Sequence, residues 1–250
     1  MPPTLILVRH AQALHNVDNK SPSHYSIHDP PLSELGQTQC RSLRKHFFKT
    51  EVPDKYQISL IIVSPMRRTI ETALLSFGNY AKENNIPIIA NAGWQENSDK
   101  PCDTGSSIEE LSKEFPEVDF SRVDQVWPDK SRKSEKAKKY WYTKDAILQR
   151  GEDVLKEIEA KVWPEMEDGR AVIVVSHSGF LRSGVTGWWF NNGDYRIFEI
   201  EEREVKEGRP SLKQITGVKG GMGESFETPP GIGGDLPEAA VGGLSVGTLP

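Results

Sequence analysis

At 250 residues the chain is long enough for one well-packed domain with an inserted subdomain, and its composition does not call for two equal halves. A hydrophobic share of 36% beside 27% charged residues is ordinary for a soluble globular protein, and a net charge of -5 argues against general nucleic-acid binding, so any anion site must be a local concentration of cations. Two cysteines, Cys40 and Cys102, can build neither a disulfide framework nor a four-thiolate zinc site within one chain, and reduced thiols in a cytoplasmic protein are expected.

The first expected element is a strand over Thr4 to Val8, a β-branched and aliphatic run that stops at Arg9-His10. Its apolar stretch is too short for a signal-peptide core or a bilayer span, so neither a targeting segment nor a membrane span is expected. Ser33, followed at once by Glu34 and then by Leu35, Leu43 and Phe47, marks a helix start. Ile58 to Val63 is a second strand, ending at Ser64-Pro65, and the spacing of Ile70, Ala73, Leu74, Phe77 and Ala81 makes one helical face behind it. Ile86 to Ala90 is a third strand-like run.

From Glu96 to Asp145 no strand signal appears, and the prolines, charges and aromatics there (Phe115, Phe120, Trp127, Tyr140, Trp141, Tyr142) predict a mainly helical cap insertion over about 97–145. Ile147, Val154, Ile158 and Val162 hold a further helical face, and Ala171 to Val175 is a strand ending at Ser176-His177. Tyr195 to Val205 alternates as a strand does, with Lys206-Glu207-Gly208 as a turn toward Ser211 to Thr216, which suits an edge hairpin. The apolar runs without polar alternation suit strands buried on both faces. The expected fold is therefore α/β, a doubly wound, mostly parallel sheet flanked by helices over residues 1–219. Residues 220–250 hold nine glycines and four prolines, and are expected to be disordered or draped on the surface.

The strand ends carry the chemistry. Arg9-His10, Arg67-Arg68 and His177 all follow apolar runs, and the carboxyl edge of an open α/β sheet is where ligands bind. A lone histidine after a strand is more often structural, and an Arg pair at a helix start is usually a solvated face. Convergence at one edge changes that balance, because guanidinium forks match phosphate oxygens bidentately.

At these residues the sequence resembles the histidine phosphatase superfamily, also called phosphoglycerate-mutase-like. The matching stretches are Leu7-Val8-Arg9-His10-Ala11-Gln12-Ala13-Leu14-His15-Asn16, Leu32-Ser33-Glu34-Leu35-Gly36, Val63-Ser64-Pro65-Met66-Arg67-Arg68-Thr69 with Glu71-Thr72-Ala73, Glu96, and Val175-Ser176-His177-Ser178-Gly179, in the family's order. The resemblance implies that His10 is the nucleophile, that Arg9, Arg68 and His177 bind the phosphoryl group with help from Asn16, and that Glu96 is the proton donor. Ser178, beside His177, joins the candidate phosphate ligands. Arg68, not Arg67, falls at the family's catalytic arginine position. Ala11 stands where the family usually has glycine, which is harmless at negative φ, the expected case, and costly at positive φ.

Elementary chemistry leads the same way. Phosphoryl transfer asks mainly for positioning and charge stabilisation, which fixed cations supply. A neutral imidazole attacks phosphorus without a separate base, provided its other nitrogen is anchored, for instance by a nearby carbonyl. The leaving alkoxide needs a proton, for which Glu96 is the candidate.

A metal-independent phosphatase acting on a phosphate or diphosphate ester through phosphohistidine is therefore expected, with no cofactor and a small phosphorylated substrate. The alternatives are a cofactor-dependent phosphoglycerate-type mutase and a non-catalytic phospho-ligand binding protein. His15, His24 and His28 with Asp18 and Asp29 fit no metal-binding spacing. The segment around Ser176-His177-Ser178-Gly179 lacks the earlier glycine of a serine-hydrolase elbow. The basic run Lys130 to Lys144 reads as a solvated helical face, or as an attractor of anionic substrates if the cap faces the site.

Overall fold

The computed structural model describes residues 4–17, 25–50, 52–162, 170–201, 208–234 and 236. Its strands are β1 (Thr4–Arg9), β2 (Gln57–Val63), β3 (Ile88–Ala90), β4 (Arg170–Ser176), β5 (Tyr195–Ile200) and β6 (Leu212–Gln214). They form one sheet in the order β3-β2-β4-β1-β5-β6. The first four in that order are mutually parallel, while β5 runs antiparallel to β1 and β6 antiparallel to β5. The α-helices are α1 (Glu34–Phe47), α2 (Val52–Lys55), α3 (Arg67–Glu83), α4 (Ile108–Glu114), α5 (Lys144–Glu157) and α6 (Ser178–Phe180).

Alternate residues of each apolar strand enter two separate cores, which is why these runs show no polar alternation. Ile6, Val8, Ile61, Val63, Ile173 and Val175 pack with Leu43 and Phe47 of α1 and Ile70, Ala73 and Phe77 of α3. Leu5, Leu7, Ile62, Val172 and Val174 pack on the other face with Ile147, Val154 and Leu155 of α5 and with Phe180 and Leu181. Helices thus cover both faces of the sheet, the doubly wound arrangement expected from the order of elements. α1 starts where Ser33 predicts it: the Ser33 hydroxyl accepts the Gly36 N–H at 3.0 Å, satisfying a donor that the first turn leaves without a partner.

Register decides where the chain leaves the sheet. Arg9 lies beside Ser176, and Val63 lies beside both Val175 and Ala90. The next residues, His10, Ser64 and His177, therefore emerge together at the carboxyl edge.

Residues 97–143 carry regular structure only as α4 and two 3-10 turns, Pro101–Asp103 and Glu135–Tyr140. Their side chains join the body of the protein: Leu111, Phe115, Val118 and Phe120 extend the α1/α3 core, while Trp127 and Tyr140 pack with Met66 and Ala92. β5 and β6 form the edge hairpin, although Lys206 and Glu207 of its expected turn lie outside the described residues.

Over residues 220–234 the glycine-rich stretch takes the draped form of the expectation and not the disordered one, most of its residues lying exposed or half-buried. The Gly221 N–H donates to the Tyr195 carbonyl at 2.7 Å, and the Met222 N–H and Ser225 hydroxyl donate to the buried Asp194 carboxylate at 2.8 and 2.6 Å. Farther along, the Gly231 and Gly233 N–H groups donate to the Gly187 and Ser183 carbonyls. Backbone hydrogen bonding, which composition does not report, holds this segment in place. Residues 237–250 lie outside the described residues. No helix among the described residues is long and apolar enough to cross a membrane.

Candidate active site

His10 follows β1 directly and is almost wholly buried. Its Nδ1 lies 2.7 Å from the carbonyl oxygen of Ala11. A carbonyl only accepts, so Nδ1 carries the proton and Nε2 keeps its lone pair. That lone pair receives the Arg68 Nε–H at 3.3 Å. Burial, with Arg68 and Arg9 close by, pushes the His10 pKa well below the ordinary histidine value. The ring is therefore a neutral imidazole with its unprotonated nitrogen turned toward a guanidinium.

The loop after His10 is held from three sides. The Thr72 hydroxyl of α3 accepts the Ala11 N–H at 3.0 Å and donates to the Arg68 carbonyl at 2.6 Å. The Ser33 hydroxyl donates to Oε1 of Gln12 at 2.7 Å, and the Ser33 N–H donates to the Gln12 carbonyl at 2.9 Å. The Asn192 side-chain amide and the Gly193 N–H reach the His10 carbonyl. Gly36 must lack a side chain, because a Cβ there would stand 2.0 Å from the Gln12 carbonyl oxygen. Ala11 is not among the described residues with positive φ, so replacing glycine carries no backbone strain.

Arg68, at the start of α3, is fully buried and links both histidines. Its Nη2 donates to His177 Nδ1 at 3.1 Å and to Asp103 Oδ1 at 3.0 Å, while Nη1 donates to the Cys102 carbonyl at 2.6 Å. A guanidinium only donates, so His177 Nδ1 is an acceptor and Nε2 carries the proton toward the Ser64 hydroxyl, 2.9 Å away. Burial, then Arg68 and His10, push the His177 pKa well below its ordinary value. The two imidazole centroids stand 5.2 Å apart.

Arg9 donates Nη1 to the Phe190 carbonyl at 2.9 Å, an oxygen that the Ser178 hydroxyl approaches at 3.5 Å. Burial lowers the Arg9 pKa to about 10, with Glu96 opposing and Arg68 and Arg182 reinforcing, so it stays charged near neutrality. Asn16 uses its Oδ1 locally, accepting the Ala13 N–H at 3.2 Å. Its amide donors are the part of the side chain suited to an anion. Arg67 serves the framework: its backbone N–H and guanidinium bind Asp29, and Nε pairs with Glu114 at 2.9 Å.

Glu96 follows β3 through a short 3-10 turn (Ala92–Trp94). Its carboxylate accepts the Asn97 N–H at 2.8 Å and the Gly179 N–H at 3.0 Å, which bridges it to the start of α6 beside His177. A Cβ on Gly179 would stand 2.5 Å from Glu96 Oε1, so the glycine makes room for the carboxylate.

Sequence reasoning misplaced Lys130. Its neighbours Arg132, Lys133, Lys136, Lys138 and Lys139 are exposed, as a solvated basic run requires, but Lys130 itself is buried against the backbone of residues 96–103. Burial lowers its pKa to about 7 against the attraction of Asp103 and Glu96. Asp103 and Arg182 also belong to the charged surroundings. Asp103 binds Arg68, and Arg182 lies 3.7 Å over the Trp189 ring, close enough to Arg9 to depress its pKa. Nothing in their local sequence marks them, since their partners come from other elements.

Among the described residues no group of three His, Cys, Asp or Glu side chains is placed to hold a metal ion. His24 and Asp18 lie outside the described residues.

The family described as the histidine phosphatase superfamily (branch 1) matches residues 5–206. A phosphoglycerate mutase-like protein of Arabidopsis thaliana is 32% identical over 211 residues, covering 71% of this chain and 72% of its own. A probable phosphatase of Schizosaccharomyces pombe is 35% identical over 181 residues, covering 72% of this chain and 76% of its own. Among solved structures, the ecdysone phosphate phosphatase of Bombix mori shares the fold with a TM-score of 0.53 at 15% identity, over 83% of this chain and 97% of that one. A mycobacterial glucosyl-3-phosphoglycerate phosphatase shares it with a TM-score of 0.50 at 18% identity, over 85% and 97%.

Proposed function

Because the chain belongs to the histidine phosphatase superfamily, we propose that it is a metal-independent phosphatase that hydrolyses a small phosphate or diphosphate ester through a phosphohistidine on His10. One observation carries the proposal: His10 Nδ1 is committed to the Ala11 carbonyl, so the Nε2 lone pair, buried beside Arg68, is the atom available to attack.

In the first half-reaction His10 Nε2 forms a bond to phosphorus as the ester P–O bond breaks, and the departing oxygen takes a proton from Glu96. Arg9 and Arg68 balance the charge on the equatorial oxygens. His177, neutral while its Nδ1 accepts from Arg68, takes a proton from solvent as the anion binds, donates through it to a phosphoryl oxygen, and returns it to solvent when phosphate leaves. Asn16 and Ser178 add neutral donors. In the second half-reaction Glu96 accepts a proton from water as water attacks phosphorus and the P–N bond breaks, releasing inorganic phosphate and restoring His10.

A mutase would share the phosphohistidine but return the phosphoryl group to a bound acceptor, and a relative named phosphoglycerate mutase-like keeps that reading in play. The test is a phosphate-release screen over phosphorylated small molecules, with incubation on 3-phosphoglycerate with and without its bisphosphate. Release of phosphate that is lost in His10→Ala, together with an acid-labile phosphoenzyme in quenched samples, supports the phosphatase. Isomerisation without release, or retention of more than a few per cent of activity in His10→Ala, overturns it.

A further inference from the structure

A cation withdrawn from water is costly unless its donors are satisfied. Lys130 is only 4% exposed, and its ammonium donates to three main-chain carbonyls, those of Glu96 at 2.7 Å, Ser98 at 2.9 Å and Asp103 at 2.5 Å. Three acceptors match the three N–H bonds of the ammonium. All three belong to one loop, which begins with Glu96 and ends with Cys102 and Asp103, the residues that hold Arg68. Ser98 closes the loop on itself by donating its hydroxyl to Asp103 Oδ2 at 2.6 Å.

A second buried cation holds the opposite flank. Arg150 of α5 donates Nη1 to the Gln95 carbonyl at 2.9 Å and Nη2 to Asn97 Oδ1 at 2.8 Å. Its guanidinium carbon lies 4.0 Å from the Phe180 ring centroid, in the same short helix that supplies the Gly179 N–H to Glu96. Residues 95–97 are thereby clamped between a side chain from the 97–143 segment and one from α5. An apolar side chain in place of Lys130 would fill space without gathering three carbonyls on one point. The arrangement therefore serves loop geometry more directly than it serves stability.

We propose that Lys130 is a positioning residue for the phosphoryl-transfer site: by fixing the 96–103 loop it holds the Glu96 carboxylate where it can protonate the leaving oxygen. This rests on Glu96 being the proton donor, and the experiment separates failure of one from failure of the other. Single-turnover phosphorylation of His10 is measured by rapid quench in wild type, Glu96→Gln, Lys130→Met and the double variant, with an alkyl phosphate and with an activated aryl phosphate whose phenolate needs no proton.

Lys130→Met should slow the alkyl reaction about tenfold or more and the aryl reaction less than about threefold, because only the alkyl leaving group depends on a placed acid. In the Glu96→Gln background it should cost no more than about twofold, since no acid remains to be placed. Equal losses on both substrates, or the same loss with and without Glu96, overturn the proposal while leaving Glu96 as donor. A Glu96→Gln variant that slows both substrates alike overturns the donor assignment and the proposal with it. If Lys130→Met does not give a wild-type circular dichroism spectrum, Lys130→Gln, whose amide keeps two N–H donors, is judged by the same comparison.

Discussion

A single methyl group on Gly179 tests the Glu96 geometry directly. Gly179 lies in α6 and is not among the residues with positive φ, so alanine can adopt its backbone. Its Cβ would stand 2.5 Å from Glu96 Oε1, 3.0 Å from Cδ and 3.1 Å from Oε2, whereas ordinary contact begins at 3.4 Å. The carboxylate must retreat by about 0.9 Å, and the 3.0 Å bond from the Gly179 N–H is misaligned in the process. The atoms struck are the end of a flexible side chain, so the folding cost should stay below about 1 kcal/mol. A catalytic group displaced by about 1 Å loses about 10²-fold in rate, equivalent to about 2.7 kcal/mol of barrier. The assay is kcat/KM for an alkyl phosphate beside a urea denaturation curve. The expected result is a loss of about 10²-fold with a nearly unchanged midpoint, and little further loss when the same change is made in Glu96→Gln. A folded Gly179→Ala variant within about threefold of wild type on the alkyl substrate would show that the rate does not depend on the Glu96 position.

His10 and His177 both have pKa values held well below the ordinary histidine value of 6.5 by burial and neighbouring cations. Below pH 6.5 the unfolded chain therefore takes up protons that the folded chain refuses, and stability falls with falling pH by up to about 1.4 kcal/mol per unit for each histidine. His10→Gln should flatten that slope, read from urea curves, by about one proton; an unchanged slope would contradict a neutral buried His10. Deleting residues 218–250 removes the Met222 and Ser225 donors from the buried Asp194 carboxylate, leaving the Tyr195 N–H, each lost bond being worth about 1.5–3 kcal/mol. A clear drop in Tm is expected, with Ser225→Ala showing part of it, and an unaltered melt would rule out a structural role for the docked segment. Excess chelator should leave activity intact, because the Arg9 and Arg68 guanidiniums would supply the positive charge; loss restored by one divalent ion would contradict that.

The parallel sheet was legible because each of its apolar runs is buried on both faces and so carries no alternation to confuse with a surface strand. His10, His177 and Arg68 were legible as candidates for a related reason: in an open parallel sheet every strand ends at the same edge, so cationic and imidazole residues placed just after such runs must converge there. Their order and motif context also carried the family resemblance. Ser33 announced α1 because capping is a local event, decided within four residues.

What lay beyond the sequence depends on backbone groups from distant segments. The Ala11 carbonyl sets the His10 tautomer, yet every residue carries such a carbonyl and none advertises which will be near. Lys130 looked like its exposed neighbours because a lysine is buried only when acceptors gather around it, and the three that do lie 27 to 34 residues earlier in the chain. Residues 220–234 offered few apolar side chains, and composition alone left disorder and a surface drape both open. The docking of that stretch uses N–H groups and one serine against Asp194, Tyr195, Ser183 and Gly187, contacts that exist only once β5, the π-helical turn Leu181–Thr186 and the residues flanking them are in place. The linear sequence determined which side chains could do chemistry and which edge would collect them, since burial and strand ends are written in residue types. Only the tertiary structure decided their protonation, orientation and support, because those follow from main-chain partners that every sequence possesses and only a fold can aim.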